Sequence, residues 1–233
     1  MSYEFYRFQP RKAKQADPQA DAKKSQSAKP AVAVEVKNPN HPAKGDSTKV
    51  DPIKKIKDVQ LIKKQLSAKP RNSAIFILGI NTNLRGVDLR KMRVGLLRHL
   101  KVGDEFNVKE QKTCKHRQIN INAEVHRAVH RLLETMQDPQ DDDFLFQSRE
   151  GKNKPLAGPY LNNLVKKWCS DANLVGNYGA HTLRKTFGYF QRVYFDVDIP
   201  TLMVLFNHGT QRQTLEYLGI QAEEVKNAYM NEI

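Results

Sequence analysis

The sequence predicts a mainly α fold with one small antiparallel β-hairpin, an α+β class, and three observations carry that prediction. Apolar residues recur at three- and four-residue spacing through most of residues 51–233. The period shifts to two only at Phe106–Val108 and Ile119–Ile121, on either side of the polar stretch QKTCKHRQ. Polar stretches rich in Gly, Pro or Asp punctuate the helical segments. A hydrophobic content of 39% over 233 residues is enough to fill one sizeable core, and no internal repeat is evident.

The first helix is expected from Asp51, placed as an N-cap before Pro52, with Ile53, Ile56, Val59, Ile62 and Leu66 along one face. A second apolar run, SAIFILGI at 73–80, leads into TNLRGVDLRKM, where a helix is expected to begin near Thr82 or Asn83. Glu105 opens the hairpin. Asn122 then caps AEVHRAVHRLLETM, and the loop DPQDDD ends it. The loop SREGKNKPLAGP precedes a helix through YLNNLVKKWCSDA, and Gly179 to Val193 reads as a helix containing Leu183, Phe187 and Phe190. Shorter helices are expected at 199–206 and 211–219, with a last one in 221–231.

Upstream of this domain, residues 1–50 form a basic tail dominated by Pro, Lys, Ala, Gln and Ser, with no aromatic residue between Phe8 and Phe76. Such a segment buries too little apolar surface to offset its ordering entropy, so it is expected to be largely disordered, with AVAVEV (31–36) as its one extended candidate. Lys and Arg exceed Asp and Glu by 39 to 25, a net charge of +14; residues 1–70 hold 16 against 7 and residues 71–233 hold 23 against 18. A polyanionic partner follows from that surplus. With no long apolar run and no signal-like N-terminus, double-stranded DNA is favoured over a membrane. Cys114 and Cys169 form neither a disulfide framework nor a metal-ligand cluster. An intracellular, DNA-associated protein with no metal and no cofactor is therefore expected.

Four constellations carry chemistry. Arg85 and Asp88 lie three apart at a helix start, where a guanidinium fork can grip a phosphate. Lys112 sits in the turn of the hairpin, placed to deliver a proton to a departing oxygen, and Lys115 competes for that role. His181 and Arg184, in GAHTLRKTF, share one helical face. In NHGTQRQTLEYLGI, His208 precedes Tyr217 by nine residues. Thr210 with Gln213 fits a capping box, Leu215 and Leu218 supply the buried side, and a turn at Gly209 is expected to bring His208 towards Tyr217. On one straight helix the two would stand about 13 Å apart.

In this order, LRGVD, EQKTCK, HTLR and NHGTQRQTLEY, the motifs resemble those of the tyrosine recombinases, the phage integrase family. The resemblance spans roughly residues 51–233 and implies that family's catalytic-domain fold. It implies that Arg85, Arg184, His181 and His208 hold a phosphate, that Tyr217 attacks it, that Lys112 is the general acid, and that Asp88 supports the basic residues. No metal or ATP is implied, and the working form is a homo-oligomer, a tetramer on DNA, held in part by the C-terminal helix. Two positions depart from the family pattern: Asn83 stands where a glycine usually precedes the Leu-Arg, and Phe206-Asn207-His208 replaces Leu-Gly-His. The core-binding domain that usually precedes the catalytic domain has no recognisable counterpart in residues 1–50. Two alternatives stay open, a DNA-binding regulator of the same fold and a topoisomerase-like enzyme that nicks and reseals.

Overall fold

The computed structural model describes residues 49–220 apart from 113, 150 and 152, and beyond them only positions 226, 229, 230 and 232. The expected disordered tail, except residues 49 and 50, and nearly all of the expected helix in 221–231 lie outside the described residues. Helix α1 (Ile56–Leu66) buries Val59, Ile62 and Leu66. Asp51 does not cap it. The helix begins after Lys55, and Asp51 instead binds the backbone of Asn177 through both its own N–H (2.7 Å to Asn177 O) and its carboxylate, which accepts from Asn177 N at 2.9 Å. Ile53 still enters the core, its N–H donating to Thr186 Oγ1 at 2.9 Å.

Helix α2 (Pro70–Asn81) starts on proline, as a fixed φ and absent N–H favour. It takes up the whole run 73–80, and the following helix is displaced: α3 (Gly86–Leu89) begins only after Arg85. Thr82 and Asn83, the expected start, form a break in which Asn83 takes a left-handed conformation (φ 54°). Strands β1 (Glu105–Lys109) and β2 (His116–Asn120) pair antiparallel, with Phe106 opposite Ile119 and both facing the core. Asn122 caps α4 (Ala123–Leu133) by accepting from Val125 N at 2.9 Å. Helices α5 (Gly158–Asp171), α6 (Ala180–Val193), α7 (Ile199–Phe206) and α8 (Gln211–Leu218) complete the order.

The main core runs from Ile53 to Leu183 and is anchored by Phe76 packed edge-on to Trp168, ring centroids 6.0 Å apart. A smaller cluster, Tyr189, Leu202, Phe206, Leu218 and Ile220, holds α7 and α8 against the second half of α6. Helix α6 therefore belongs to both. Its glycine at 188 permits the second contact: a Cβ there would lie 2.5 Å from both Phe206 Cζ and Leu218 Cδ2. Among the described residues no helix is long and apolar enough to cross a membrane.

Candidate active site

The break between α2 and α3 sets the direction of Arg85. Its backbone is extended (φ −68°, ψ 149°), so the side chain leaves the helix start and pairs with Glu110. Glu110 is 2% exposed and also lies 3.3 Å from Arg117 Nη1, one carboxylate held between two guanidiniums. Motif spacing does not single it out. The strand period contained the signal: Phe106, Val108 and Glu110 occupy alternate positions, so Glu110 falls on the inward face, where an acid needs a cationic partner.

Asp88 is buried and supports the hairpin, its Oδ1 accepting from Gln111 N at 3.0 Å; it is Glu110, not Asp88, that engages Arg85. The next residue is Lys112, which lines a cavity of about 300 Å³ together with Arg85, Arg90, Gly158 and His181. Lys115 is drawn elsewhere, donating to Asn207 Oδ1 at 2.9 Å. The geometry thus separates two lysines that spacing alone leaves equivalent.

Helix α6 presents His181 and Arg184 one turn apart. Arg184 is 3% exposed, and its guanidinium is fixed by Nε donating to Asn83 Oδ1 (2.9 Å) and Nη2 donating to Phe206 O (3.2 Å). Burial, and next the repulsion of Arg85 and Arg117, lower its pKa to about 10 even though Tyr217 and Glu110 oppose them. Asn83 is a junction here. Its Nδ2 donates to Leu205 O at 2.6 Å and its carbonyl accepts from Arg117 Nη1 at 2.8 Å, so one residue ties α6, α7 and β2 to the break beside Arg85.

The turn that brings His208 to Tyr217 is made by Asn207, not Gly209. Asn207 has φ 56° and ends α7, while Gly209 lies outside the positive-φ region. Thr210 Oγ1 accepts from Gln213 N at 3.1 Å, and the Gln213 side chain accepts from Gly209 N at 3.0 Å, one residue before the expected closure of the box. The result is a ring separation of 5.2 Å between His208 and Tyr217, edge to face. His208 Nδ1 pairs with Thr214 Oγ1 at 3.1 Å, and burial followed by Arg184 and Arg85 lowers its pKa to about 4. The same causes, with Lys112 and Lys185, lower that of His181. Both shifts favour the neutral imidazole.

Tyr217 lines a second cavity, about 350 Å³, with His181, His208, Lys185 and the incoming residues Lys49 and Val50. Its hydroxyl is shut off from solvent and has no hydrogen-bond partner. Burial raises its pKa, and the charges of Arg184 and Arg85 pull it back. Lys185 Nζ sits 5.1 Å from the centre of the Tyr217 ring, a buried cation that motif spacing does not single out because it follows HTLR as one more basic residue. His181 lines both cavities. Five of the six proposed reacting residues, Arg85, Lys112, His181, His208 and Tyr217, therefore line these two spaces, while Arg184 lines neither and acts on Tyr217 and His208 through its charge. Among the described residues, no group of three or more His, Cys, Asp or Glu is disposed to hold a metal ion.

The family described as "Phage integrase family" matches residues 53–224. The chain belongs to that family. It is 31% identical over 183 residues to the probable integrase/recombinase YoeC of Bacillus subtilis (strain 168), covering 77% of this chain and 95% of that protein. Among solved structures, the XerA recombinase aligns with TM-score 0.62 at 18% identity, over 77% of this chain and 65% of its own. The XerH site-specific recombinase bound to palindromic difH substrate in a post-cleavage complex also gives 0.62, at 15% identity over 79% of this chain and 53% of its own. The Tn1549 transposon integrase in complex with circular intermediate DNA gives 0.58 at 18% identity, over 74% and 63%. The chain thus shares the fold of these structures and spans between about half and two thirds of their length.

Proposed function

We propose that this integrase breaks and rejoins double-stranded DNA as a site-specific recombinase, with Tyr217 as nucleophile and residues 51–233 as the catalytic domain. The observation that carries the reading is the Tyr217 hydroxyl, buried without a partner where Arg184 and Arg85 act on it and beside two neutral imidazoles. A buried hydroxyl left unpaired costs about 1–3 kcal/mol, and a phosphate oxygen is the group that pairs it while neutralising the guanidiniums.

With a phosphodiester in place, charge grows on the nonbridging oxygens as the tyrosine oxygen approaches phosphorus. Arg85 and Arg184 stabilise it from fixed positions, the electrostatic preorganisation that supplies the largest share of many rate enhancements. The P–O(Tyr217) bond forms and the P–O5′ bond breaks; the tyrosine proton passes to the His181 imidazole, and the Lys112 ammonium protonates the departing 5′ oxygen. His208 donates to the phosphate, held in register by Thr214. The phosphotyrosine conserves the energy of the broken bond, so a 5′-hydroxyl from another duplex reverses the step with neither metal nor ATP. Partner exchange calls for a homo-oligomer on DNA.

The test is a nicked duplex from the DNA flanking the gene, on which cleavage releases the short 5′-hydroxyl fragment and traps the covalent complex. Wild type forms an adduct and Tyr217→Phe forms none. An equal adduct in Tyr217→Phe removes the mechanism, and supercoil relaxation without recombinant products moves the reading to a nicking and resealing enzyme.

A further inference from the structure

A third cavity, about 310 Å³, lies on the far side of the first turn of α5 and is lined by Arg71, Ser148, Arg149, Leu156, Ala157 and Tyr160. The catalytic cavity with Lys112 and Arg85 is bounded by Gly158 and Leu161 of that same turn, so a single helical turn separates the two. Arg90 braces the turn, its Nη1 donating to Leu156 O at 3.1 Å.

The composition of this cavity is that of an anion site. Arg71 Nε is shut off from solvent and has no hydrogen-bond partner, while the guanidinium carbon stands 5.8 Å from the Tyr160 ring centre. Arg149 is close enough to repel it, and burial with that repulsion lowers the Arg71 pKa, although Tyr160 opposes them by its charge and by a hydrogen bond to the Arg71 side chain. Among the described residues, no carboxylate forms an ion pair with either arginine. Helix α5 (Gly158–Asp171) follows Ala157, which offers no side-chain cap, and Ala157 and Tyr160 at that positive end line the cavity. An unpartnered Nε on Arg71, a second arginine lining the same cavity and an uncapped helix start have one common complement, a tetrahedral oxyanion with several acceptors.

We propose that this cavity holds a second backbone phosphate of the DNA, which sets the register of the duplex so that the scissile phosphate falls between Arg85 and Arg184. The inference rests on the reading that DNA lies over the Tyr217 site. With its side chains the helix between the two cavities is about 10–12 Å across, which compares with about 3.4 Å of axis per phosphate of one strand, so the contact belongs to a phosphate a few steps from the scissile one. A backbone contact of this kind positions the duplex without reading sequence.

The experiment measures affinity of the full chain for a duplex as a function of salt, for wild type, Arg149→Gln, Arg71→Gln and the charge-matched control Lys63→Gln. Lys63 is paired with Glu124 on another face. Each lost phosphate contact lowers the slope of log K against log salt by about 0.9. The two arginine variants are expected to lose about one unit each, and the control none. A duplex with single methylphosphonates then locates the contact: neutralising one flanking phosphate weakens wild type but not Arg149→Gln. Arg149 is exposed, so this variant reports even where Arg71→Gln fails to fold. Unchanged slopes in Arg149→Gln, or no flanking phosphate whose neutralisation it masks, overturn the proposal. Because binding alone is read, loss of slope without any covalent adduct keeps the subsite and removes the recombinase reading, and an adduct with unchanged slopes does the reverse.

Discussion

Replacing Asn83 by the glycine usual in this family separates what its side chain does from what its backbone does. The left-handed φ of 54° is free for glycine, so Asn83→Gly keeps the break between α2 and α3. What it loses are two buried hydrogen bonds, Arg184 Nε to Oδ1 at 2.9 Å and Nδ2 to Leu205 O at 2.6 Å. The first is charge-assisted, worth about 1.5–3 kcal/mol, and the second is neutral, about 0.5–1.5 kcal/mol. Water entering the vacated space and the relaxed φ offset part of this, leaving a net loss of about 1–3 kcal/mol. Asn83→Ala loses the same bonds and adds about 1–2 kcal/mol for an alanine in left-handed backbone. Asn83→Asp keeps the acceptor for Arg184 and turns an oxygen against the Leu205 carbonyl, so it costs stability while sparing the guanidinium. Denaturant unfolding measures the stabilities. On the nicked duplex, a guanidinium free to swing is expected to slow cleavage by on the order of 10- to 100-fold in Asn83→Gly, with DNA affinity nearly unchanged and Asn83→Asp in between. Wild-type stability and cleavage in Asn83→Gly refute the reasoning, and an Asn83→Ala no less stable than Asn83→Gly refutes its backbone half.

Gly188→Ala drives a methyl towards Phe206 and Leu218, both 0% exposed, and is expected to cost about 1–3 kcal/mol and to slow cleavage more than it weakens binding, read by the same two assays. Lys112→Ala is expected to slow cleavage by about 100-fold on a normal strand, with most of the rate restored when the bridging 5′ oxygen is sulfur, a leaving group that needs no proton; an equal loss on both substrates assigns Lys112 another role. His208, with a folded pKa of about 4 below the ordinary 6.5, takes up its proton in the unfolded chain first, so it leaves stability untouched above pH 6.5 and removes it progressively as pH falls from 6.5 towards 4. That loss is expected to flatten in His208→Asn by on the order of 1–2 kcal/mol at pH 4, after discounting solvent screening. Amide exchange in α7 and α8, held by the five-residue cluster, is expected to outpace that in α2 and α4, and equal protection would contradict the division of the core.

The elements whose local chemistry decides them were legible. Asn122, Thr210 and the alternation of Phe106 with Val108 each set a boundary by a bond or a period that needs no tertiary partner. Asp51 misled because the same carboxylate that caps a helix also closes a loop, and only the proximity of Asn177, far along the chain, decides between them. The helix expected at Thr82 failed for a related reason: its leucines fit the period, but Asn83 is pulled out of register by Arg184 and Leu205, which spacing cannot see. Glu110 and Lys185 were hidden among many charges, and burial is what sets them apart.

The two departures from the family pattern, Asn83 and Asn207, are linked by their backbone. Both occupy left-handed positions, where asparagine is the residue other than glycine that enters most readily. Each then adds something glycine lacks. Asn83 holds Arg184, and Asn207 holds Lys115 of the hairpin at 2.9 Å, so the break before Arg85, the hairpin bearing Lys112 and the end of α7 are joined by side chains rather than by packing alone. This matters because α7 and α8 rest on a small core of their own. A nucleophile carried by α8 reaches its phosphate only if α7 keeps its register against α6, and the Leu205 and Phe206 carbonyls that set this register are those bound by Asn83 and Arg184. In the proposed mechanism Arg184 therefore has two functions that cannot be separated by its charge: it would stabilise the phosphate, and it couples the position of Tyr217 to the position of Arg85.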